Sequence, residues 1–139
     1  MVPRILIVDD DSSIRTLLSV VASRAGVESE TAVDGLEAMQ KLESGTFDLV
    51  VLDLSMPRMN GYDLIDRLRG RRPRPAVVVL TALPPIQYNA LDPDVVHRII
   101  RKPFDLGTFM ALFVATAAEM CESRRRLANV VAFPQPNAG

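Results

Sequence analysis

Polar and charged residues stand directly after several short apolar runs of the sequence. The run Ile5-Leu6-Ile7-Val8 is followed by Asp9-Asp10-Asp11, and Leu49-Val50-Val51-Leu52 is followed by Asp53. Two later runs end at Thr81 and shortly before Lys102. Carboxylates are the side chains that bind hard divalent cations, and a lysine beside them would add positive charge.

These carboxylates would repel one another if the fold brought them together. At about 4 Å, two like unit charges cost roughly 4 kcal/mol at an effective dielectric constant near 20. A divalent cation would offset this repulsion, and Mg²⁺ prefers oxygen ligands while it keeps part of its water shell. The acidic residues after the apolar runs are therefore candidates for a Mg²⁺ site.

Each of these residues also has an ordinary structural interpretation. Asp11 or Ser12 is expected to cap the helix that follows, and Asp53 could be a simple turn residue. Thr81 could be a loop hydroxyl, and a lone lysine such as Lys102 is usually a solvated charge. A shared site is favoured because all of these positions fall where predicted strands end.

The apolar pattern predicts five strands that alternate with helices. The runs at 5–8, 49–52 and 76–80 are continuously apolar, which indicates strands buried on both faces. The run at 27–33 alternates, as is typical of a strand nearer the sheet edge, and 95–100 is the fifth candidate. Helices are predicted over 12–25, 34–44, 61–69 and from Asp105 onward, the last with the apolar stripe Leu106, Phe109, Met110, Phe113, Ala117 and Met120.

Strands that alternate with helices predict an α/β fold with a parallel sheet covered on both faces. Such sheets bind ligands at the carboxyl ends of their strands, which is where the polar residues stand. The pattern weakens between residues 83 and 93, where Pro84, Pro85 and Pro93 predict a short or irregular fourth helix.

Composition limits the possible functions. The 139 residues fit one domain with a tail, and 16 Lys+Arg against 17 Asp+Glu leave no basic surplus for sequence-independent nucleic-acid binding. The longest mainly apolar stretch, residues 106–118, is too short to span a bilayer. Cys121 is the single cysteine and cannot form an internal disulfide, so we expect a reduced, cytoplasmic setting.

Over roughly residues 4 to 127 the chain resembles the receiver domain of two-component response regulators. The resemblance rests on four segments in the same order and spacing: residues 5–11, residues 53–61 (Asp53-Leu54-Ser55-Met56-Pro57-Arg58-Met59-Asn60-Gly61), Leu80-Thr81-Ala82 and Lys102-Pro103-Phe104. It implies a flavodoxin-like three-layer sandwich whose five parallel strands lie in the order 2-1-3-4-5. We expect a receiver domain over residues 1–128 and a flexible C-terminal tail over 129–139.

The resemblance also implies a role for each site residue. Asp53 would accept a phosphoryl group from a histidine kinase or a histidine phosphotransfer protein. Asp10 would bind Mg²⁺ directly and Asp9 through water, while Asp53 and the backbone carbonyl of Ser55 complete the protein ligands. Thr81 would hydrogen-bond the phosphoryl group and Lys102 would pair with it. A cis peptide bond is expected before Pro103.

The sequence departs from the family pattern at three places. The position of the family's switch aromatic in the fifth strand is occupied by Ile99, which cannot undergo an aromatic rotamer change. The fourth helix is the second departure. The two positions that tune dephosphorylation in the family are Ser55 and Leu83, and because a leucine cannot orient a water molecule we predict slow autodephosphorylation.

The favoured function is a regulatory phosphoacceptor, not an enzyme acting on other substrates, that changes its contacts with an unknown downstream protein. An aspartate-nucleophile phosphatase of the haloacid dehalogenase type needs an acid where Ser55 stands. A nucleotide-binding protein is disfavoured because the first strand is followed by three acids and no glycine-rich turn. A scaffold that works without phosphorylation, a pseudo-receiver, remains the alternative.

Overall fold

The computed structural model describes residues 2–56, 58–71, 74–84, 91–107, 110–111, 113–115, 118–119, 122–123 and 125–126. Strands and helices alternate along this part of the chain. The elements are β1 (Arg4–Val8), α1 (Ser12–Arg24), β2 (Glu28–Ala32), α2 (Gly35–Ser44), β3 (Leu49–Leu52), α3 (Gly61–Arg69), β4 (Ala76–Thr81) and β5 (Val96–Arg101).

The five strands form one parallel sheet in the order β2-β1-β3-β4-β5. The prediction of a parallel α/β sheet in this order is confirmed. β1, β3 and β4 occupy the middle, and their continuously apolar residues are buried on both faces, as their sequences predict. β2 lies at one edge, where its alternating sequence placed it, and β5 at the other.

Each face of the sheet is covered by its own apolar layer. On one face, alternate strand residues pack with Leu18 and Ala22 of α1 and with Phe113. On the other face they pack with α2 and α3, through residues such as Met39 and Leu64. The result is the predicted three-layer sandwich, which fixes the carboxyl ends of the strands along one edge.

Capping residues define where the helices begin. The Asp11 carboxylate accepts a hydrogen bond from the Ser13 N–H at the start of α1, 2.9 Å away. Asp34 caps α2 by accepting from the Glu37 N–H at 2.9 Å, and the Glu37 carboxylate accepts in return from the Val33 N–H at 2.8 Å, an arrangement close to a capping box.

Some elements begin or end one residue away from the predicted position, and some predicted segments lie outside the described residues. β5 begins one residue later than predicted and extends to Arg101, and α1 ends at Arg24. Of the segment 83–93, residues 85–90 lie outside the described part, and 83–84 with 91–93 contain no helical residue. The described residues between 106 and 126 are helical, whereas Phe109, Ala117, Met120 and the tail lie outside the description.

Within the described ranges, no helix has both the length and the apolar character that a membrane span requires.

Candidate functional site

The carboxyl ends of four neighbouring strands bring the candidate residues to one edge of the sheet. Asp9 directly follows β1, Asp53 follows β3, Thr81 ends β4 and Lys102 follows β5. The backbone keeps them in register, since the Asp53 N–H donates to the Val8 carbonyl at 2.9 Å. The N–H of Lys102 likewise donates to the Thr81 carbonyl at 2.8 Å.

Three carboxylates form a compact cluster at this edge. One oxygen each from Asp9, Asp10 and Asp53 lies within 4.8 Å of the other two. Asp9 and Asp53 are buried, with 2% and 6% of their surfaces exposed, whereas Asp10 is exposed. The cluster is therefore closed on the protein side and open to solvent on the side of Asp10.

Lys102 is the cation that faces this cluster. Its Nζ lies 3.1 Å from Oδ2 of Asp9 and 3.9 Å from Oδ2 of Asp53. The peptide bond between Lys102 and Pro103 is cis, as the resemblance implies. One lysine against three carboxylates leaves the group with a surplus of negative charge.

The pKa of Asp53 reflects first its burial and then that surplus. Burial and then the neighbouring charge of Asp9 raise the pKa of Asp53 from 3.8 to about 6, although Lys102 and the Ser55 N–H act in the opposite direction. The groups of the protein thus offset only part of the cost of a negative charge on Asp53. Three carboxylates that share one open space are the donor set of a hard divalent cation, so the residues present fit Mg²⁺.

Thr81 stands beside the cluster with its side chain fully buried. Its Oγ1 accepts a hydrogen bond from the Leu83 N–H at 3.0 Å, so the hydroxyl can donate its own proton elsewhere. Leu83 is partly buried and packs against the apolar layer of α2 and α3. The residue two positions after Thr81 is thus turned toward the core.

Two contacts that fix Asp9 were not predicted from the sequence. Its Oδ1 accepts from the Asp11 N–H at 2.9 Å, and its carbonyl accepts from Nη1 of Arg15 at 2.8 Å. Arg15 lies in the first turns of α1 and reaches back to the end of β1. An arginine placed one helical turn after an acidic triplet is the only signal of this contact in the sequence.

The loop that follows β3, described at residues 54–56 and 58–60, closes tightly on the backbone of Asp53. The Gly61 N–H donates to the Leu54 carbonyl at 3.0 Å. A Cβ at Gly61 would lie 2.6 Å from the Asp53 carbonyl oxygen and 2.7 Å from Cα of Leu54. Only glycine allows α3 to begin this close to Asp53.

Replacement of Gly61 by alanine should therefore damage both fold and site. Gly61→Ala is expected to lower the free energy of unfolding by about 3 kcal/mol, the upper end for overpacking, because backbone atoms block the new methyl group. Gly70→Ala is the matched control, since nothing lies within 4 Å of a Cβ there and its φ is −91°. Urea unfolding measures both, and equal stabilities for the two variants would contradict this packing.

Ile99, at the position of the family's switch aromatic, lies on β5 opposite Val79 of β4. It is 38% exposed and so is not locked into the core. A branched aliphatic side chain here has no ring to rotate and no hydroxyl to offer. Thr81 therefore has no aromatic partner at position 99 of the neighbouring strand.

Comparison with known proteins identifies the family. The family model described as "Response regulator receiver domain" matches residues 5–113. The chain is 36% identical, over 148 aligned positions, to protein-glutamate methylesterase/protein-glutamine glutaminase 1 of Anaeromyxobacter dehalogenans, covering 100% of this chain and 42% of that protein. It is 33% identical to the DNA-binding transcriptional regulator NtrC of a Bradyrhizobium strain, covering 83% of this chain and 24% of the relative. The chain thus spans less than half the length of either relative.

Solved structures give the same result at the level of the fold. The response regulator protein TrrA from Thermotoga maritima, in complex with Mg(2+)-BeF, has a TM-score of 0.73 at 31% identity and covers 82% of this chain and 98% of its own. A CheY-like receiver domain protein from Methanospirillum hungatei superposes with a TM-score of 0.81 at 24% identity, over 88% of this chain and 99% of its own, and supports the fold alone. Because the family model spans most of the sequence and the sheet order agrees, the chain belongs to the response regulator receiver domain family of two-component signalling.

Proposed function

We propose that the protein takes a phosphoryl group from the phosphohistidine of a histidine kinase or histidine phosphotransfer protein onto Asp53, in a Mg²⁺-dependent reaction. The observation that carries this proposal is the cluster of Asp9, Asp10 and Asp53. One carboxylate oxygen of each lies within 4.8 Å of the other two, and the cluster faces Lys102. Phosphorylation would change the contacts of the domain with a downstream protein. The chain would be a regulatory phosphoacceptor that catalyses only its own phosphoryl transfer.

The chemical step is a displacement at phosphorus. A carboxylate oxygen of Asp53 forms the new P–O bond while the P–N bond to the donor imidazole breaks. The bonding electrons stay on the imidazole nitrogen, which then takes up a proton. Phosphoryl transfer needs an aligned nucleophile and stabilisation of charge more than covalent help, and the site supplies these.

The residues of the chain divide this work between them. Asp9, Asp10, Asp53 and the Ser55 carbonyl would hold Mg²⁺, which would supply positive charge to the oxygens of the transferred group. Lys102, now paired with Asp9 and Asp53, would pair with the phosphoryl oxygens instead. The buried Thr81 hydroxyl would donate a hydrogen bond to them. The crystal structure of the similar regulator TrrA in complex with Mg(2+)-BeF supports this assignment.

Three further expectations, on domain bounds, cellular location and partner type, accompany this proposal. We assign residues 1–128 to the receiver domain and 129–139 to a flexible tail. A cytoplasmic location agrees with the single cysteine. The nearly balanced charge favours a protein as the downstream partner, without nucleic acid.

Intact-mass measurement tests the proposal directly. The protein is incubated with acetyl phosphate or phosphoramidate, with Mg²⁺ or with a chelator. We expect the mass of one phosphoryl group to be added only when Mg²⁺ is present, because the acidic cluster otherwise repels the anionic donor. No adduct with either donor, together with no response to beryllofluoride, would reject the proposal and favour a pseudo-receiver scaffold.

The phosphorylated protein should lose its phosphoryl group slowly. Leu83 packs toward the core and has no polar group with which to place a water molecule beside the acyl phosphate. Leu83→Gln is expected to speed hydrolysis about tenfold, because a positioned nucleophile lowers the barrier. Hydrolysis is followed by mass after removal of the donor, with Leu36→Gln, an exposed leucine on α2, as control. A wild-type half-life as short as that of chemotaxis-type receivers would contradict the prediction.

A further inference from the structure

An ion pair between a buried carboxylate and a largely exposed arginine, outside the acidic cluster, joins two loops at the same edge of the sheet. The carboxylate of Asp34, which caps α2, also accepts hydrogen bonds from Arg58, from Nε at 2.8 Å and from Nη2. The two residues are 24 positions apart in the chain. Asp34 is 1% exposed, whereas 64% of the Arg58 side chain is exposed, so the arginine reaches inward from the surface.

The backbone of Arg58 has an uncommon conformation. Its φ of +62° lies in the left-handed region, and among the described residues it is the sole non-glycine residue with a positive φ. Glycine or asparagine adopts this conformation at lower cost. The side-chain contact with Asp34 offsets that cost and holds the loop in this shape.

A second contact ties the same loop to α2. The Gly35 N–H donates to the Met59 carbonyl at 2.9 Å. A Cβ at Gly35 would lie 2.1 Å from that oxygen, so the two backbones are as close as glycine permits. Residues 58 and 59 are therefore held by the first turn of α2 through both a side chain and the backbone.

The held loop is the one that leaves the acceptor residue. Its two ends are joined by a hydrogen bond that the Gly61 N–H donates to the Leu54 carbonyl at 3.0 Å. The Ser55 N–H donates to Oδ1 of Asp53 at 3.3 Å, so the position of Ser55 and the orientation of the Asp53 carboxylate are linked. A shift at Arg58 can thus reach Asp53 through only a few residues of backbone.

We propose that Arg58 and Asp34 form a positioning pair that holds residues 58–60 of the loop after β3 against α2 and thereby sets the Mg²⁺ affinity of the site. This inference rests on the proposed function, because it assumes that Asp53 and Ser55 contribute ligands. Neither member of the pair is one of the proposed metal ligands. Asp34, paired with Arg58 and used as a helix cap, does not belong to the acidic cluster that would bind the cation.

Arg58→Asn separates positioning from the alternatives. Asparagine tolerates the left-handed backbone but is too short to pair with Asp34 as arginine does, so the variant loses the side-chain tie to α2 without added backbone strain at residue 58. We expect the dissociation constant for Mg²⁺ to rise about tenfold, the lower end of the effects seen when supporting contacts of a metal site are removed. Isothermal titration calorimetry with MgCl₂ gives the constant, and thermal melting in chelator gives the stability.

The direction of the change is informative because electrostatics alone would give the opposite result. Removal of a positive charge near an acidic cluster strengthens cation binding through space. Arg67→Gln is the matched control, since Arg67 is an exposed arginine of α3 that lines the same surface groove as Arg58. Its Mg²⁺ affinity is expected to stay unchanged or to increase slightly.

Asp34→Asn supplies the other half of a double-mutant cycle. Asparagine caps helices as well as aspartate, so α2 keeps its start while the ion pair is lost. We expect the double variant to bind Mg²⁺ no more weakly than Arg58→Asn alone, because both changes break one interaction. Melting temperatures that fall while the Mg²⁺ constants stay at the wild-type value would show a purely structural pair and overturn the inference.

The outcomes also separate this inference from the proposed function. Wild-type protein that binds Mg²⁺ and takes up a phosphoryl group, together with Arg58→Asn that binds Mg²⁺ as tightly, overturns the positioning pair alone. Wild-type protein that neither binds Mg²⁺ nor gains a phosphoryl group overturns the proposed function and the pair with it. Weaker binding in Arg58→Asn at unchanged stability supports both.

Discussion

Asp53→Asn is expected to abolish the Mg²⁺-dependent phosphate adduct. The amide keeps the size of the side chain but is not a competent nucleophile toward phosphorus, and it removes one of three carboxylates that lie within 4.8 Å. Intact mass after incubation with a small phosphodonor gives the result. Asp63→Asn, at an exposed carboxyl group in the first turn of α3, is the control and should be phosphorylated like the wild type.

Unfolding cannot explain the expected loss, because the same substitution should stabilise the metal-free protein. Asp53 is buried beside Asp9, and the amide relieves the repulsion between them. We expect the melting temperature of Asp53→Asn in chelator to lie above that of the wild type. A phosphate adduct that persists in a folded Asp53→Asn variant would place the acceptor elsewhere.

The pH dependence of stability should carry the same signature. The pKa of Asp53 is raised from 3.8 to about 6 in the native state, so the folded protein binds this proton more tightly than the unfolded chain does. The contribution to stability is thus favourable at low pH and is lost as the pH rises from 3.8 to about 6. In chelator, the stability difference between wild type and Asp53→Asn should widen over this interval, and urea unfolding measures it.

Lys102→Met is expected to slow phosphorylation by about 10² to 10³-fold, the range seen when one preorganised group that stabilises developing charge is removed. Methionine keeps most of the length and apolar surface of the side chain but lacks the ammonium group. That group lies 3.1 Å from Asp9 and 3.9 Å from Asp53, beside the place where the transferred oxygens would come to rest. The rate is measured from the growth of the phosphorylated mass at fixed Mg²⁺ and donor concentrations.

The chain offers a close control, because Lys41 is its only other lysine. Lys41 belongs to α2, where its Nζ donates to the Thr31 carbonyl at 2.6 Å and lies 3.7 Å from Glu37. Lys41→Met should leave the rate of phosphorylation unchanged. If Lys102→Met were phosphorylated as fast as Lys41→Met, the role assigned to Lys102 would be wrong.

Much of the fold could be predicted because its signals are local. Short continuous apolar runs are typical of strands buried on both faces in the middle of a parallel sheet, and 5–8, 49–52 and 76–80 are all central strands. The alternating run at 27–33 correctly predicted an edge strand. The acidic residues after β1 and β3 could be assigned to one edge for the same reason, since parallel strands end together.

The contacts that hold the site in shape could not be predicted in this way. The pair of Asp34 and Arg58 and the close approach of Gly35 to Met59 depend on which loops meet in space. Residue types signal that a helix begins at Asp34, and this prediction was confirmed, but they do not signal what else its carboxylate binds. The left-handed backbone conformation of Arg58 likewise could not be predicted from the sequence, because it is imposed by long-range contacts and not by propensity.

The scarcity of lysine makes amine labelling of the site simple to interpret, because only one other lysine can react. Of the two side-chain amines in the chain, the one at position 102 lies among the carboxylates, and both are engaged in ion pairs. Acylating dyes or cross-linkers coupled through amines would thus inactivate the very group under study, so probes are better attached through other chemistry. The same property turns a peptide map of amine acylation into a footprint, in which protection of position 102 reports how fully the site is occupied.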